Sequence, residues 1–209
     1  MGRVFKIDWD WNDIGCKIFR KSTIELQPGV TVLVGCNGIG KSTLIKQLVQ
    51  QFKKDGTRFI SFDNLQDGGS HARSRASFYG DFTFLANSMC ASEGENISMN
   101  LVRFTQQLSH FVSQYRTAPE LWMLLDAVDS GLSVDNILDL KGLFSAFIED
   151  NPESEVYIVI AANEYELARG EQCFDVLRGN YKTFKTYEAY RKFIIKTREE
   201  KDKRVYKET

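Results

Sequence analysis

"VTVLVGCNGIGKSTLIKQLVQQF", residues 30 to 52, decides the fold. Val30 to Val34 form an apolar, β-branched run suited to a strand buried on both faces. Leu44, Ile45, Leu48, Val49 and Phe52 then recur at helical spacing. Between strand and helix, Gly35 to Thr43 satisfies G-x-x-x-x-G-K-S-T in full, in the context that its mechanism demands. Gly35, Gly38 and Gly40 let backbone N–H groups curl around a phosphate, and the helix N-terminus adds partial positive charge. Lys41 would reach the β- and γ-phosphates of a nucleotide, and the Ser42 hydroxyl would ligate Mg²⁺. Asn37, Ile39 and Thr43 complete the nucleotide-binding set, with Cys36 a passenger in it. The bland alternative is a glycine-rich turn with a chance lysine.

Upstream, residues 4 to 9 and 16 to 26 alternate apolar and polar side chains, which suits antiparallel strands near a sheet edge. Downstream, "RFISF" (58 to 62), "LWMLL" (121 to 125) and "VYIVIA" (156 to 161) are further short strands. Helical spacing marks a helix from Ile97 to Tyr115 and another through Ile137 to Ile148. Alternating strands and helices imply an α/β domain with a mainly parallel sheet. Residues 173 to 184 read as a hairpin around Gly179, before a helix from Tyr187 and a mixed-charge tail. The division expected is an ATP-binding domain over 1–186 and a C-terminal helix with charged tail over 187–209, the tail's charges forming a solvated face.

At 209 residues with a formal charge of -1, the chain has room for a real core and no global field to draw nucleic acid or anionic lipid. Four scattered cysteines without zinc spacing, no apolar leader and no run long enough to span a bilayer point to a cytosolic chain with reduced thiols and no membrane partner.

Asp126 closes an apolar strand, where a carboxylate can hold Mg²⁺ beside the phosphate loop. "ASEGE" (91 to 95) taken alone is a capping box for the helix that follows. The order of segments, however, is phosphate loop, strand, polar loop, "ASEGE" with helix, "LLDAVDSGLS", helix, strand, "AAN". Over residues 4 to 170 this resembles the ATP-binding-cassette (ABC) ATPases, in particular the soluble branch with RecF-like and SMC-like heads and the small phage-encoded AAA/ABC-like ATPases. The resemblance implies a P-loop NTPase fold like an ABC ATPase head, without coiled-coil arms. It also implies ATP and Mg²⁺ as cofactors and a head-to-tail homodimer in which each phosphate loop faces the partner's signature sequence. Ser92, Glu93, Gly94 and Glu95 would be that signature; Asp129, Ser130 and Gly131 the D-loop across the dimer interface; Gln66, with Asn64 as second choice, the glutamine-loop contact to Mg²⁺.

Two positions depart from the family. Ala127 stands where the family has the glutamate that polarises water, and Asn163 where it has a switch histidine. An alanine cannot act as a base, whereas Asn163 retains N–H groups for a γ-phosphate. The catalytic set is therefore Lys41, Asp126, Asn163 and the position of Ala127, with slow hydrolysis expected. Asp129 and Glu164 are the nearby carboxylates that could substitute. For the adenine, Phe19 is a stacking candidate, with Trp9 and Trp11 as alternatives and core packing as the competing role. Rival readings are a nucleoside monophosphate kinase, a transporter nucleotide-binding subunit and a non-hydrolysing ATP-gated module. Two strands ahead of the loop and only Arg73 and Arg75 in a lid-like stretch weigh against the kinase; a short, polar segment before "ASEGE" weighs against the transporter; Ala127 favours the module. A nucleic-acid or protein partner stays open.

Overall fold

The computed structural model describes residues 2–8, 19–63 and 93–205. Its centre is a six-stranded sheet formed by β3 (Gly29–Val34), β4 (Phe59–Asp63), β5 (Glu120–Asp126), β6 (Glu155–Ala161), β7 (Gln172–Asp175) and β8 (Asn180–Lys182). The spatial order is β4-β5-β6-β3-β7-β8, and every pairing is parallel except the β7–β8 hairpin. The fold is thus an α/β one with a mostly parallel sheet, as the periodicity predicts. β6 lies between β3 and β5, so its carboxyl end emerges between the phosphate loop and Asp126.

Helices cover both faces, which is why the central strands are apolar without alternation. On one face Val32, Val34, Met123, Leu125, Ile158 and Ile160 meet α2 (Glu93–Gln114), α3 (Val134–Glu149), the short α4 (Tyr165–Ala168) and α5 (Tyr187–Val205). On the other, Leu33, Trp122, Leu124, Tyr157 and Val159 pack against Leu44, Leu48 and Phe52 of α1 (Lys41–Asp55).

The N-terminal strands β1 (Arg3–Lys6) and β2 (Thr23–Leu26) are antiparallel but do not extend the main sheet. They form a separate ribbon whose Phe5, Ile24 and Leu26 close the α1 face. Arg3 fastens it, with its guanidinium 5.3 Å from the Phe5 and Phe52 ring centres and its Nη1 donating to Glu120 at 2.7 Å.

Two boundaries differ from expectation. α2 begins at Glu93, four residues before Ile97, because polar residues 93–96 carry no apolar period and still form the first helical turn. At the other end, residues 196–205 continue α5 instead of forming a tail. Tyr190, Phe193 and Thr197 are buried along one side of that helix, and Glu200 pairs with Arg20 and Arg178. Among the described residues no helix is long and apolar enough to cross a membrane.

Leu48 is fully buried between α1 and the sheet. Leu48→Ala is expected to cost about 3 kcal/mol through lost burial and a residual cavity. A lowered urea midpoint at unchanged m-value would show it; no shift would mean that α1 is not packed as described.

Candidate functional site

The loop from Gly35 to Gly40 leaves the end of β3 and feeds directly into α1. Gly40 caps the helix at φ 105, a left-handed conformation that a side chain would resist. At Gly35 (φ 147) an added Cβ would stand 2.8 Å from Ile39 Cγ2, so glycine is required there by space as well. The first turn of α1 carries no acidic residue, so its amides and dipole are left to attract an anion.

Lys41 is only 8 % exposed, and its Nζ donates to the Gly35 carbonyl at 2.9 Å. Burial pulls its pKa down, opposed by Cys36, Asp129 and Asp126 nearby. Ser42 Oγ donates to Asp126 Oδ1 at 2.9 Å, joining residues 84 apart in the chain. Burial pushes the Asp126 carboxyl up, and its neighbour across β4, Asp63, adds to this; the Ser42 bond, Lys46 and Lys41 oppose it. A hydroxyl and a carboxylate, both hard oxygen donors, side by side at a helix N-terminus suit Mg²⁺ bound together with phosphate oxygens. The glycine turns and the buried lysine suit the phosphates.

Ala127 has φ 52, the only positive value at a non-glycine residue among those described. Its N–H is held by the Ala161 carbonyl at 3.0 Å and its own carbonyl accepts from Ser130 N–H at 3.1 Å. It supplies no carboxylate beside Asp126. Asn163 follows β6 with its side chain exposed; its N–H donates to Asp129 Oδ2 at 2.6 Å and its carbonyl accepts from the Tyr190 hydroxyl at 2.8 Å. Glu164 N–H reaches the same Asp129 oxygen at 2.7 Å.

Asp129 therefore turns inward. It is 3 % exposed and pins the Asn163–Glu164 turn of its own chain, while Ser130 and Gly131 face outward. This corrects the expectation that Asp129 could substitute as the base, since a base needs access to water. Phe19 is likewise corrected as an adenine platform. It is 3 % exposed and packs in the same apolar cluster as Cys36 and Ile39, because the Arg20 N–H to Leu177 carbonyl bond holds its segment against the β7–β8 turn. Glu164 is exposed. Trp9, Trp11, Asn64, Gln66 and Ser92 lie outside the described residues, whereas Glu93, Gly94 and Glu95 form the first turn of α2.

Sequence reasoning missed the contribution of α5. Thr197, fully buried, accepts the Cys36 N–H at 3.1 Å, and Lys201 Nζ donates to the Asn37 carbonyl at 3.1 Å. The spacing Tyr190, Phe193, Thr197, Lys201 follows one helical face and was the available signal.

A family model described as "AAA domain" matches residues 24–169, more than half of the chain and the whole of this site except α5. No curated protein matches the chain.

An acid whose pKa is raised on folding holds its proton more tightly folded than unfolded, so its contribution is fully present below the unfolded value and lost as pH rises through the folded one. At neutral pH the ionised Asp126 is thus a cost. Asp126→Asn keeps an acceptor for Ser42 and is expected to melt higher than the wild type at about pH 7 and to converge with it near about pH 3, while losing Mg²⁺-dependent nucleotide binding. Melting curves at both pH values check this; a lower melting temperature at neutral pH would show that the neighbours outweigh burial.

Proposed function

The chain belongs to the AAA domain family of P-loop NTPases, and from that premise we propose that it binds Mg-ATP through Lys41, Ser42 and Asp126 and works as an ABC-type, ATP-controlled dimer with slow hydrolysis. The observation that carries the reading is the 2.9 Å Ser42–Asp126 bond beside a buried Lys41. It brings the two expected Mg²⁺ ligands together at the mouth of the phosphate loop.

Lys41 binds and orients phosphate oxygens as a largely dehydrated cation, where charge is poorly screened. Loop amides and the α1 N-terminus add fixed donors. Bound there, Mg²⁺ would neutralise phosphate charge and fix the geometry of the phosphate chain. Asn163 would offer its exposed amide to the terminal phosphate, its backbone held by Asp129 and Tyr190.

Dimerisation rests on the likeness of "ASEGE" to a signature sequence. The start of α2 at Glu93 supports it, since the first N–H groups of a helix lack intrahelical partners and can meet an anion. A homodimer closed over two ATP molecules would be long-lived because Ala127 provides no base. Whether such a switch serves DNA maintenance or phage–host conflict, with a nucleic acid or a protein as partner, follows from the resemblance alone. The same alanine favours a non-hydrolysing ATP-gated module as the second reading.

Mg-ATP is expected to convert monomer to dimer in light scattering. Lys41→Ala should abolish both binding and the shift, and Ser92→Arg the shift alone. An oligomeric state indifferent to ATP would return "ASEGE" to a helix cap. Ala127→Glu is expected to raise steady-state phosphate release by roughly tenfold or more if a base is what the site lacks. Brisk turnover by the wild type, lowered by this change, would show that another group is the base.

A further inference from the structure

Two ammonium groups converge on the phosphate loop from different elements. Lys41, at the start of α1, donates to the Gly35 carbonyl at 2.9 Å. Lys201, near the end of α5, donates to the Asn37 carbonyl at 3.1 Å, and its Nζ stands 3.5 Å from where a Cβ on Gly38 would be. Thr197, one turn earlier, accepts the Cys36 N–H, so α5 grips the loop through both a donor and an acceptor. Alongside lies a cleft of roughly 620 Å³ whose lining includes Cys36, Asn37, Asn163, Arg198 and Lys201.

We propose that Lys201 is a second phosphate-binding cation, which contacts the terminal phosphate of the bound nucleotide and makes the site prefer a triphosphate to a diphosphate. This deepens the nucleotide reading above and rests on it. The α1 N-terminus, with Ser42, would hold phosphate at one end of the loop, while the Lys41 ammonium reaches back toward Gly35. Lys201 stands at the other end, over Asn37, with the cleft beside it. A chain of phosphates laid along the loop meets Lys201 only when it is long enough, and that length is the difference between ATP and ADP. An ammonium has three donors. Asn37 takes one, and Asp202 Oδ1, at 3.9 Å, is too distant for a hydrogen bond. Among the described residues, donors therefore remain for an anion, and the side chain, 31 % exposed, is partly shielded from water. Charge-assisted bonds of this kind are among the stronger polar contacts. Because α5 carries the lysine, the terminal phosphate would also tie that helix more firmly to the loop.

A purely mechanical role, a strut between helix and loop, makes a different prediction. Calorimetry with Mg-ATP and Mg-ADP on the full-length protein separates the two. Lys201→Met is expected to weaken Mg-ATP about tenfold and to change Mg-ADP less than about twofold; Lys201→Arg should stay close to the wild type for both, and Lys203→Met, on the exposed side of α5, should match it. Equal weakening of both nucleotides by Lys201→Met, with a lower melting temperature, would establish a strut and overturn the proposal, as would unchanged affinity for both. A wild-type protein that binds neither nucleotide would overturn the nucleotide reading itself, a failure visible before any variant is made.

Discussion

A parallel sheet covered on both faces leaves polar chemistry only to the ends of its strands, and the Ser42–Asp126 hydrogen bond ties two of those ends together at 2.9 Å. Both groups depend on the strand order. β5 delivers Asp126 from a run in which Leu121 to Leu125 are fully buried, and β3 delivers the loop that leads to Ser42 at the start of α1. β6 between them sets the spacing and contributes the Ala161 carbonyl that holds Ala127. Packing thus positions a buried cation and a buried carboxylate that would be costly anywhere else.

The second support of the site comes from outside the matched family region. α5 reaches the loop with Thr197 and Lys201 and is itself fixed by Glu200 to Arg20 and Arg178, by Phe193 under Lys182, and by Tyr190 to the Asn163 carbonyl. Asp129 completes this frame from β5's side through the Asn163 and Glu164 amides. The turn after β6 is therefore held from two directions, and movement of α5 cannot leave the phosphate loop unaffected.

The loop, its flanking strand and helix, and Asp126 were legible in the sequence because each rests on local pattern: a fixed motif, an apolar run and a strand end. What escaped depends on which distant segments meet. Phe19 has the spacing of an adenine platform, yet whether an aromatic faces in or out is decided by what packs over it, here the cluster of Cys36 and Ile39. Asp129 sits in a stretch that resembles a D-loop, and only the adjacency of β5 and β6 brings two amides to it. In residues 187–205 a dense run of charges masks a modest apolar face, so the sequence reads as a helix giving way to a charged tail and its reach to the phosphate loop is not legible.

If Ser42 and Asp126 hold Mg²⁺ as proposed, nucleotide phosphates must complete its coordination, and nucleotide binding must depend on the metal. Calorimetric titration of the wild-type protein with ATP, run with Mg²⁺ and again with chelator, tests it most directly. Saturable binding with Mg²⁺ and clearly weaker binding without it are expected; equal affinity in both, or no binding in either, would rule the metal site out.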